Sequence, residues 1–517
     1  MADAILKNWV IIFILSLAAF LRLYRISDYM TFLGDEGRDV LVAYDILHGK
    51  LTLLGPTASV GGFFLGPIYY YFITPFLWFF NYNPAGPAVM IALFGIFTVW
   101  LVYKIGTEFF GRKAGVIASF LYAISPIVVA YSRSSWNPNL MPPFTLLTLY
   151  ILYKGVNKNK PLFFFITGIL YGILMQLHYI EVFVGVIIIV YVFISWALKN
   201  KQKKIFSSVI KPYLMIFFGF LVGFSPYLAF EARHGFPNTA SLIKFIFNSP
   251  EVGGGSNLFL IIGNVFFRLF ARLVMGFPPP ERIESFSKNI LFGWSAFILL
   301  ISLISFGYFL FRMYESIKKR DEKLMPYLLI NTWLILGIFF FGFYKKPIYD
   351  YYFQFLFPLP FFLIGFTAEF FLSKQKIFKF ITALVIVFLI LLNLNGIPFR
   401  HPPNRQLNQM KTIADFIMTK TDAKPFNFAI ITGGNSDHAY RYFFTIWNHP
   451  PVIIQDSAHD PQRNTVTEQL FIVCESVPCE PLGNSLWEIA GFGRAEIAGS
   501  WDVSVVKVYK LVHYKGN

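Results

Sequence analysis

Apolar runs of roughly twenty residues recur along this chain, from "WVIIFILSLAAFLRLY" near its start to "ITALVIVFLILLNLN" just before residue 400. In a bilayer every backbone N–H and C=O must be satisfied within the segment, so such runs are read as spanning helices. Only 14% of residues are charged while 56% are hydrophobic and 20% aromatic, with a mean hydropathy of +0.57. That composition excludes a soluble globular domain. The net charge of +16 does not indicate nucleic acid, because most Lys and Arg lie in short loops between apolar runs. There they set topology and meet anionic membrane lipid. The opening "MADAILKNWV" has a weak basic region and no small-residue cleavage site, so the first span is expected to remain as an anchor.

Spans are expected near 9–24, 85–103, 114–132, 138–154, 161–178, 181–198, 213–230, 289–311, 326–344, 351–372 and 379–397. Two further apolar stretches, 63–80 and 257–274, are decided by the distribution of positive charge. If neither crosses, five loops on one side collect 19 Lys or Arg, and the short loops on the other hold only Arg133, Lys345 and Lys346. Residues 63–80, broken by Pro67 and Pro75, are therefore read as a juxtamembrane or re-entrant hairpin on the outer side. Residues 257–274 carry Arg268 and Arg272 one turn apart and are read as an interfacial helix. Arg22 and Arg25, after the first span, oppose this assignment and are outvoted. The expected fold is a polytopic α-helical membrane protein of about eleven transmembrane helices, multi-pass in the cell membrane, with a cytoplasmic N-terminus.

The sequence divides at about residue 400 into a transmembrane domain, 1–399, and a small extracytoplasmic α/β domain, 400–517. The second part is charged and follows the Pro- and Asn-rich "NGIPFRHPPNRQ". "FNFAIITGG", "PPVIIQD", "QLFIVCES" and "WDVSVVKVYKLV" read as strands, and "QMKTIADFIMTK" as a helix. Cys474 and Cys479 lie outside the cytosol on this topology and are a disulfide candidate, not a metal site. "ITGGN" follows a strand and is read as a turn.

Polar residues gather on the outer face. "TFLGDEGRDV" places Asp35, Glu36 and Asp39 at or before the start of an amphipathic helix, where the helix dipole favours negative charge. One reading is an N-terminal cap with surface charge; the other is a general base accepting a proton from an attacking hydroxyl. "AYSRSSWNPNL" supplies Arg133 and Asn137, "MQLHYIEV" supplies Gln176, His178, Tyr179 and Glu181, and "GFYKKPIYDYYFQFLFPLP" supplies Lys345, Lys346, Asp350, Tyr351 and Tyr352. Singly these fit span anchors and an aromatic belt. Together they describe a cavity with one base and several cations, suited to a phosphate-bearing substrate. A transporter or flippase of lipid-linked sugars is the alternative. It would place charges near the midplane on broken helices, whereas these spans are nearly charge-free.

A first span followed by an outer loop opening with "DE" and an amphipathic helix resembles the dolichyl-phosphate-mannose–protein mannosyltransferases and lipid A aminoarabinose transferases. These are polyprenyl-phosphate-dependent glycosyltransferases of the GT-C fold. "GPIYYYFITPFLWFFN" is similar to that family's second juxtamembrane helix, "YDYYFQFLFPLPFFLIG" to its late tyrosine- and proline-bearing span, and "QLHY" to a version in bacterial and archaeal members. The resemblance covers about 1–400. It implies Asp35 as catalytic base, Glu36 as its partner holding the acceptor, Arg133 near the site, and Tyr351 and Tyr352 at the lipid-phosphate pocket. Many members carry Lys where this chain reads "HYIE", so Lys345, Lys346, Arg268 and Arg272, and then His178, become the candidate phosphate-binding cations. The implied partners are a polyprenyl-phosphate-linked sugar donor and an acceptor hydroxyl of a protein, lipid or cell-envelope glycan. No cofactor is expected to be obligatory, although Asp35, Glu36 and Asp39 offer hard oxygen ligands to a divalent metal.

Overall fold

A computed structural model of the 517-residue chain describes residues 2–199, 209–249, 253, 257–476 and 478–516. Lys201, Lys203 and Lys204, three of the 19 Lys or Arg counted above, lie outside the described residues, as do 250–252 and 254–256. The chain forms two compact units. One comprises Met1–Tyr24, Thr52–Tyr69 and Val89–Pro402; the other comprises Arg25–Leu51, Tyr70–Ala88 and Pro403–Asn517.

The first unit is a multi-pass helical membrane assembly. Among the described residues, six helices are long and apolar enough to cross a bilayer: Ala85–Phe110, Tyr179–Lys199, Leu258–Met275, Lys288–Lys319, Leu324–Phe343 and Lys376–Asn395. Two further pairs qualify together but are bent, Lys211–Gly223 with Ser225–His234 by 74° and Asp350–Leu356 with Pro358–Leu372 by 54°. Each bend falls next to a proline, Pro226 or Pro358, which cannot donate to the preceding turn. Pro126 likewise splits the run expected at 114–132 into Arg112–Ile124 and Pro126–Tyr131. Ile68–Phe79 has only 12 residues, about 18 Å of helix at 1.5 Å per residue, too short to span. Leu258–Met275, expected along the interface, is long and apolar enough to cross, and a single carboxylate engages both of its arginines.

The closest helix packing uses glycine from both sides. Gly168 and Gly172 on Pro161–Leu177 face Gly219 and Gly223 on Lys211–Gly223. A Cβ added at Gly168 would stand 2.0 Å from the Ile216 carbonyl oxygen, and one at Gly219 would stand 2.0 Å from that of Phe165. Each helix thus carries a G-x-x-x-G pair that lets backbone meet backbone. Lipid supplies no hydrophobic drive between helices, so van der Waals contact of this kind holds them.

The second unit contains a four-stranded sheet in the order β1-β2-β4-β3. β1 (Asn427–Ile431) runs parallel to β2 (Gln469–Cys474), with Asn427 opposite Leu470 and Ile431 opposite Cys474. β4 (Val506–His513) is antiparallel to β2 and to β3 (Ala495–Val503). "WDVSVVKVYKLV" is therefore not one strand but a hairpin, reversing at Ser504, whose φ of 56° is left-handed. "PPVIIQD" forms no strand. Its prolines cannot donate, and the Gln455 amide bonds to the Thr465 hydroxyl instead of a ladder. Helix Gln406–Lys420 matches the expected helix, and Cys474 and Cys479 are disulfide-bonded. Helix His438–Ile446 packs against Gly34–Leu47, with the Phe32 ring 6.3 Å from Tyr442 and 5.9 Å from Phe443.

Gly168→Leu should separate the glycine-packed helices and lower the yield of monodisperse protein in detergent several-fold, whereas Gly263→Leu, where an added Cβ meets nothing within 4 Å, should not. Size-exclusion profiles and thermal melts of the two variants make the comparison.

Candidate functional site

The helix Gly34–Leu47 begins without an N-cap side chain that can accept a hydrogen bond. Its N-cap residue is Leu33, whose side chain can accept no hydrogen bond, yet the first turn of any helix leaves its amides unpaired. Three neighbouring amides find separate acceptors. Leu33 N–H donates to Glu36 Oε2 at 3.0 Å, Gly34 N–H to Asn435 Oδ1 at 2.8 Å, and Phe32 N–H to Gln406 Oε1 at 3.1 Å.

This arrangement separates the three carboxylates. Glu36 is turned inward as half of a capping box and is only 7% exposed. Burial holds its carboxyl up at about 7, against backbone donation from Leu33. Asp39 is fully buried; its Oδ1 accepts from Arg38 Nε at 3.0 Å and Nη2 at 2.7 Å, while Oδ2 has no partner among the described residues. Burial pushes Asp39 up to about 6 even against Arg38. Asp35 is different: its side chain is 56% exposed, and among the described residues only its Oδ1 is engaged, by Arg38 Nη1 at 2.9 Å. One oxygen of Asp35 therefore remains open to accept a proton. Arg38 was not singled out from sequence, although its spacing of three from Asp35 and adjacency to Asp39 were visible there. Tyr70 lies beside this group, its hydroxyl pushed up by burial and by Asp39.

The remaining candidates lie in the first unit and fall into separate groups. Arg133 is buried, donating to the Leu21 and Tyr24 carbonyls at 2.8 Å each, so it closes the C-terminal end of the first helix. Asn137 donates to the Leu177 carbonyl at 2.6 Å, and Gln176 accepts from Ile68 N–H and donates to the Gly223 carbonyl. These three side chains serve the backbone. His178 stacks on Tyr179 at 4.5 Å, and Tyr351 meets Tyr352 edge-on at 4.5 Å, with Tyr344 5.9 Å from Tyr352. His178 joins them, 6.1 Å from Tyr351 and 5.6 Å from Tyr352. Arg268 and Arg272 clasp Asp350 at 2.6 and 2.7 Å. Lys345 and Lys346 are exposed, and Lys345 forms no ion pair among the described residues. No group of three or more His, Cys, Asp or Glu among the described residues is placed to hold a metal ion.

Two consequences can be measured. The Glu36 carboxyl is held above its ordinary 4.5, so the folded state binds this proton more tightly than the unfolded state. The associated stability is present below about pH 4.5 and lost as pH rises through about 7, up to roughly 3 kcal/mol. Protection of the amides at 33–37 against hydrogen exchange should fall as pH rises from about 4.5 to about 7 and level off above that. Glu36→Gln, which keeps an acceptor for Leu33, should flatten that dependence. Separately, Arg38→Gln leaves Asp39 buried without its cation and should cost about 3–5 kcal/mol. The double variant with Asp39→Asn should recover much of that loss in a melting experiment.

Residues 65–230 match the family model described as dolichyl-phosphate-mannose-protein mannosyltransferase. In the same direction, 82 residues are 37% identical to "Putative mannosyltransferase YkcB" of Bacillus subtilis (strain 168), spanning 15% of this chain and 12% of that relative's length. Among solved structures, ArnT from Cupriavidus metallidurans, bound to undecaprenyl phosphate, aligns over 98% of both chains with a TM-score of 0.62 at 11% identity. The archaeal oligosaccharyltransferase AglB from Archaeoglobus fulgidus, in complex with an inhibitory peptide and a dolichol-phosphate, aligns over 91% of this chain and 69% of its own, with a TM-score of 0.53 at 12% identity. The chain thus has the GT-C fold of membrane glycosyltransferases, and its segment 65–230 is similar in sequence to the dolichyl-phosphate-mannose-protein mannosyltransferases.

Proposed function

We propose that this protein is an inverting glycosyltransferase that moves a sugar from a polyprenyl phosphate to an acceptor hydroxyl at the outer membrane face. The observation that carries the reading is the division of labour in "DEGRD". Glu36 is turned into the helix cap and Asp39 is buried on Arg38, while Asp35 is left exposed with one unengaged oxygen. The likeness of fold to proteins solved with undecaprenyl phosphate and dolichol-phosphate supports a polyprenyl-phosphate-linked donor. The acceptor is a hydroxyl on a protein, a lipid or a glycan.

In the reaction, Asp35 takes the acceptor's proton as its oxygen bonds to the anomeric carbon. The bond from that carbon to the phosphate oxygen breaks, and polyprenyl phosphate departs with the electron pair. Attack opposite the leaving group inverts the anomeric centre. Positive charge is needed where the phosphate charge develops. The reading gives that role to Lys345 and Lys346, with Arg268 and Arg272 contributing what Asp350 leaves unbalanced. No obligatory metal is assigned, because Arg38 supplies the cation between Asp35 and Asp39. The proposed topology has about eleven spans, a cytoplasmic N-terminus, and Asp35 with the C-terminal domain outside the cytosol.

Purified protein in detergent, given a polyprenyl phosphate carrying a labelled sugar, should release polyprenyl phosphate. Asp35→Asn should reduce turnover at least about a thousandfold, the scale of losing general-base catalysis, with unchanged yield and melting temperature. Full turnover in that variant would remove the base assignment. Passage of labelled lipid-linked sugar across a vesicle membrane without release would support a flippase in place of an enzyme.

A further inference from the structure

The amide of Gly34, one residue before Asp35, is capped by a side chain that lies 401 positions later in sequence. Asn435 Oδ1 accepts from Gly34 N–H at 2.8 Å and from Ser436 N–H at 2.9 Å. Its Nδ2 donates to both oxygens of Glu475 at 3.1 Å. An asparagine amide can present either end, and a carboxylate accepts but does not donate when ionised. Glu475 therefore fixes which end faces Gly34. Glu475 is itself fixed: it accepts from the Tyr440 hydroxyl at 2.7 Å and the Thr432 hydroxyl at 3.0 Å. Its own N–H donates to the Ile431 carbonyl at 2.9 Å, immediately after β2 ends at Cys474.

The approach is as close as two backbones allow. A Cβ at Gly34 would lie 2.1 Å from Ser436 Oγ, and one at Gly37 would lie 2.3 Å from the Ala439 nitrogen. Both glycines lie on the face of Gly34–Leu47 that meets the loop 432–438 and helix His438–Ile446. The contact is therefore part of the helix's own geometry, not a touch between finished surfaces. Glu36 holds the Leu33 amide from within the helix, and Asn435 holds the Gly34 amide from outside it.

Resting on the reading of Asp35 as the base, we propose that Asn435, oriented by Glu475, is a positioning residue that sets the helix bearing Asp35. The C-terminal domain is then a working part of the catalytic unit. General-base catalysis depends on holding the acceptor oxygen and the base within hydrogen-bond reach, and a displacement of about 1 Å can cost a hundredfold. The sheet transmits its rigidity through one carboxylate and one amide to the residue next to the base.

The test uses the full-length protein in detergent with a polyprenyl phosphate carrying a labelled sugar, and each rate is normalised to monodisperse protein. Asn435→Ala should lower kcat on the order of tenfold or more while KM for the lipid donor changes less than about twofold. Hydrogen exchange in a peptide covering 32–38 should lose protection in the same variant. If Asn435→Ala fails to fold, Gly34→Ala provides the second arm. It should lower kcat by pushing against Ser436, and Gly34→Ala with Ser436→Gly should regain part of it. An unchanged kcat with lost protection, or equal losses in kcat and donor affinity, would overturn the positioning role. So would absence of any regain in the double variant, should that arm be needed. These outcomes are distinct from failure of the functional reading, which would appear as undiminished turnover in Asp35→Asn.

Discussion

Backbone amides removed from water must find acceptors, and a helix start is where the local chain supplies fewest. In this protein three such amides, at residues 32–34, stand directly before the candidate base, and the N-cap residue among them is leucine, which offers no side-chain acceptor. Their acceptors are Gln406, Glu36 and Asn435, so two of the three come from the far end of the chain. Much else in the second unit follows from this requirement. The glycines at 34 and 37 admit the loop 432–438, and Glu36 is drawn inward, leaving Asp35 as the exposed member of the acidic pair.

Both units handle buried charge by sharing one ion between two of opposite sign. Arg38 is held between Asp35 and Asp39, and Asp350 between Arg268 and Arg272. Each cluster closes with one charge unbalanced, negative in the first case and positive in the second. Burying a charge without a partner is far more costly than leaving it partly exposed. The surplus is therefore best carried by the group that keeps contact with solvent. Asp35 is that group in the acidic cluster, because Asp39 is inaccessible. This asymmetry divides the helix-start acidic cluster: Glu36 takes the cap, and Asp35 is left exposed, as the proposed role of base requires.

The membrane-embedded helical class and the small sheet beyond residue 400 were legible because each depends on local pattern: apolar length for the first, alternating hydrophobicity for the second. What was not legible depends on partners distant in sequence. Nothing near Arg133 or Gln176 says that their polar groups close backbone of Leu21 or Gly223, so they read as site residues while the structure engages them with main chain. The stretch "PPVIIQD" had the right composition, but its prolines cannot donate and the Gln455 amide pairs with the Thr465 hydroxyl. The hairpin at Ser504 was hidden because the turn lacks Gly or Asn. Asn435 was passed over as part of a turn, since the amide it caps is 401 positions away.

That separation also bears on how the unit is made. A contact between residues 34 and 435 cannot form until some 400 intervening residues have been synthesised, and loop closure over such a distance is entropically unfavourable until many contacts form together. The helix bearing Asp35 starts at a residue that cannot cap it, so before then the Gly34 amide of its first turn lacks Asn435 and the Phe32 amide just ahead of it lacks Gln406. The apolar spans, whose hydrogen bonds are internal to each helix, face no such delay. Order therefore reaches the spans before it reaches the neighbourhood of Asp35. On that account the geometry around the candidate base depends on completion of the sheet that carries Glu475, and not on the membrane helices alone.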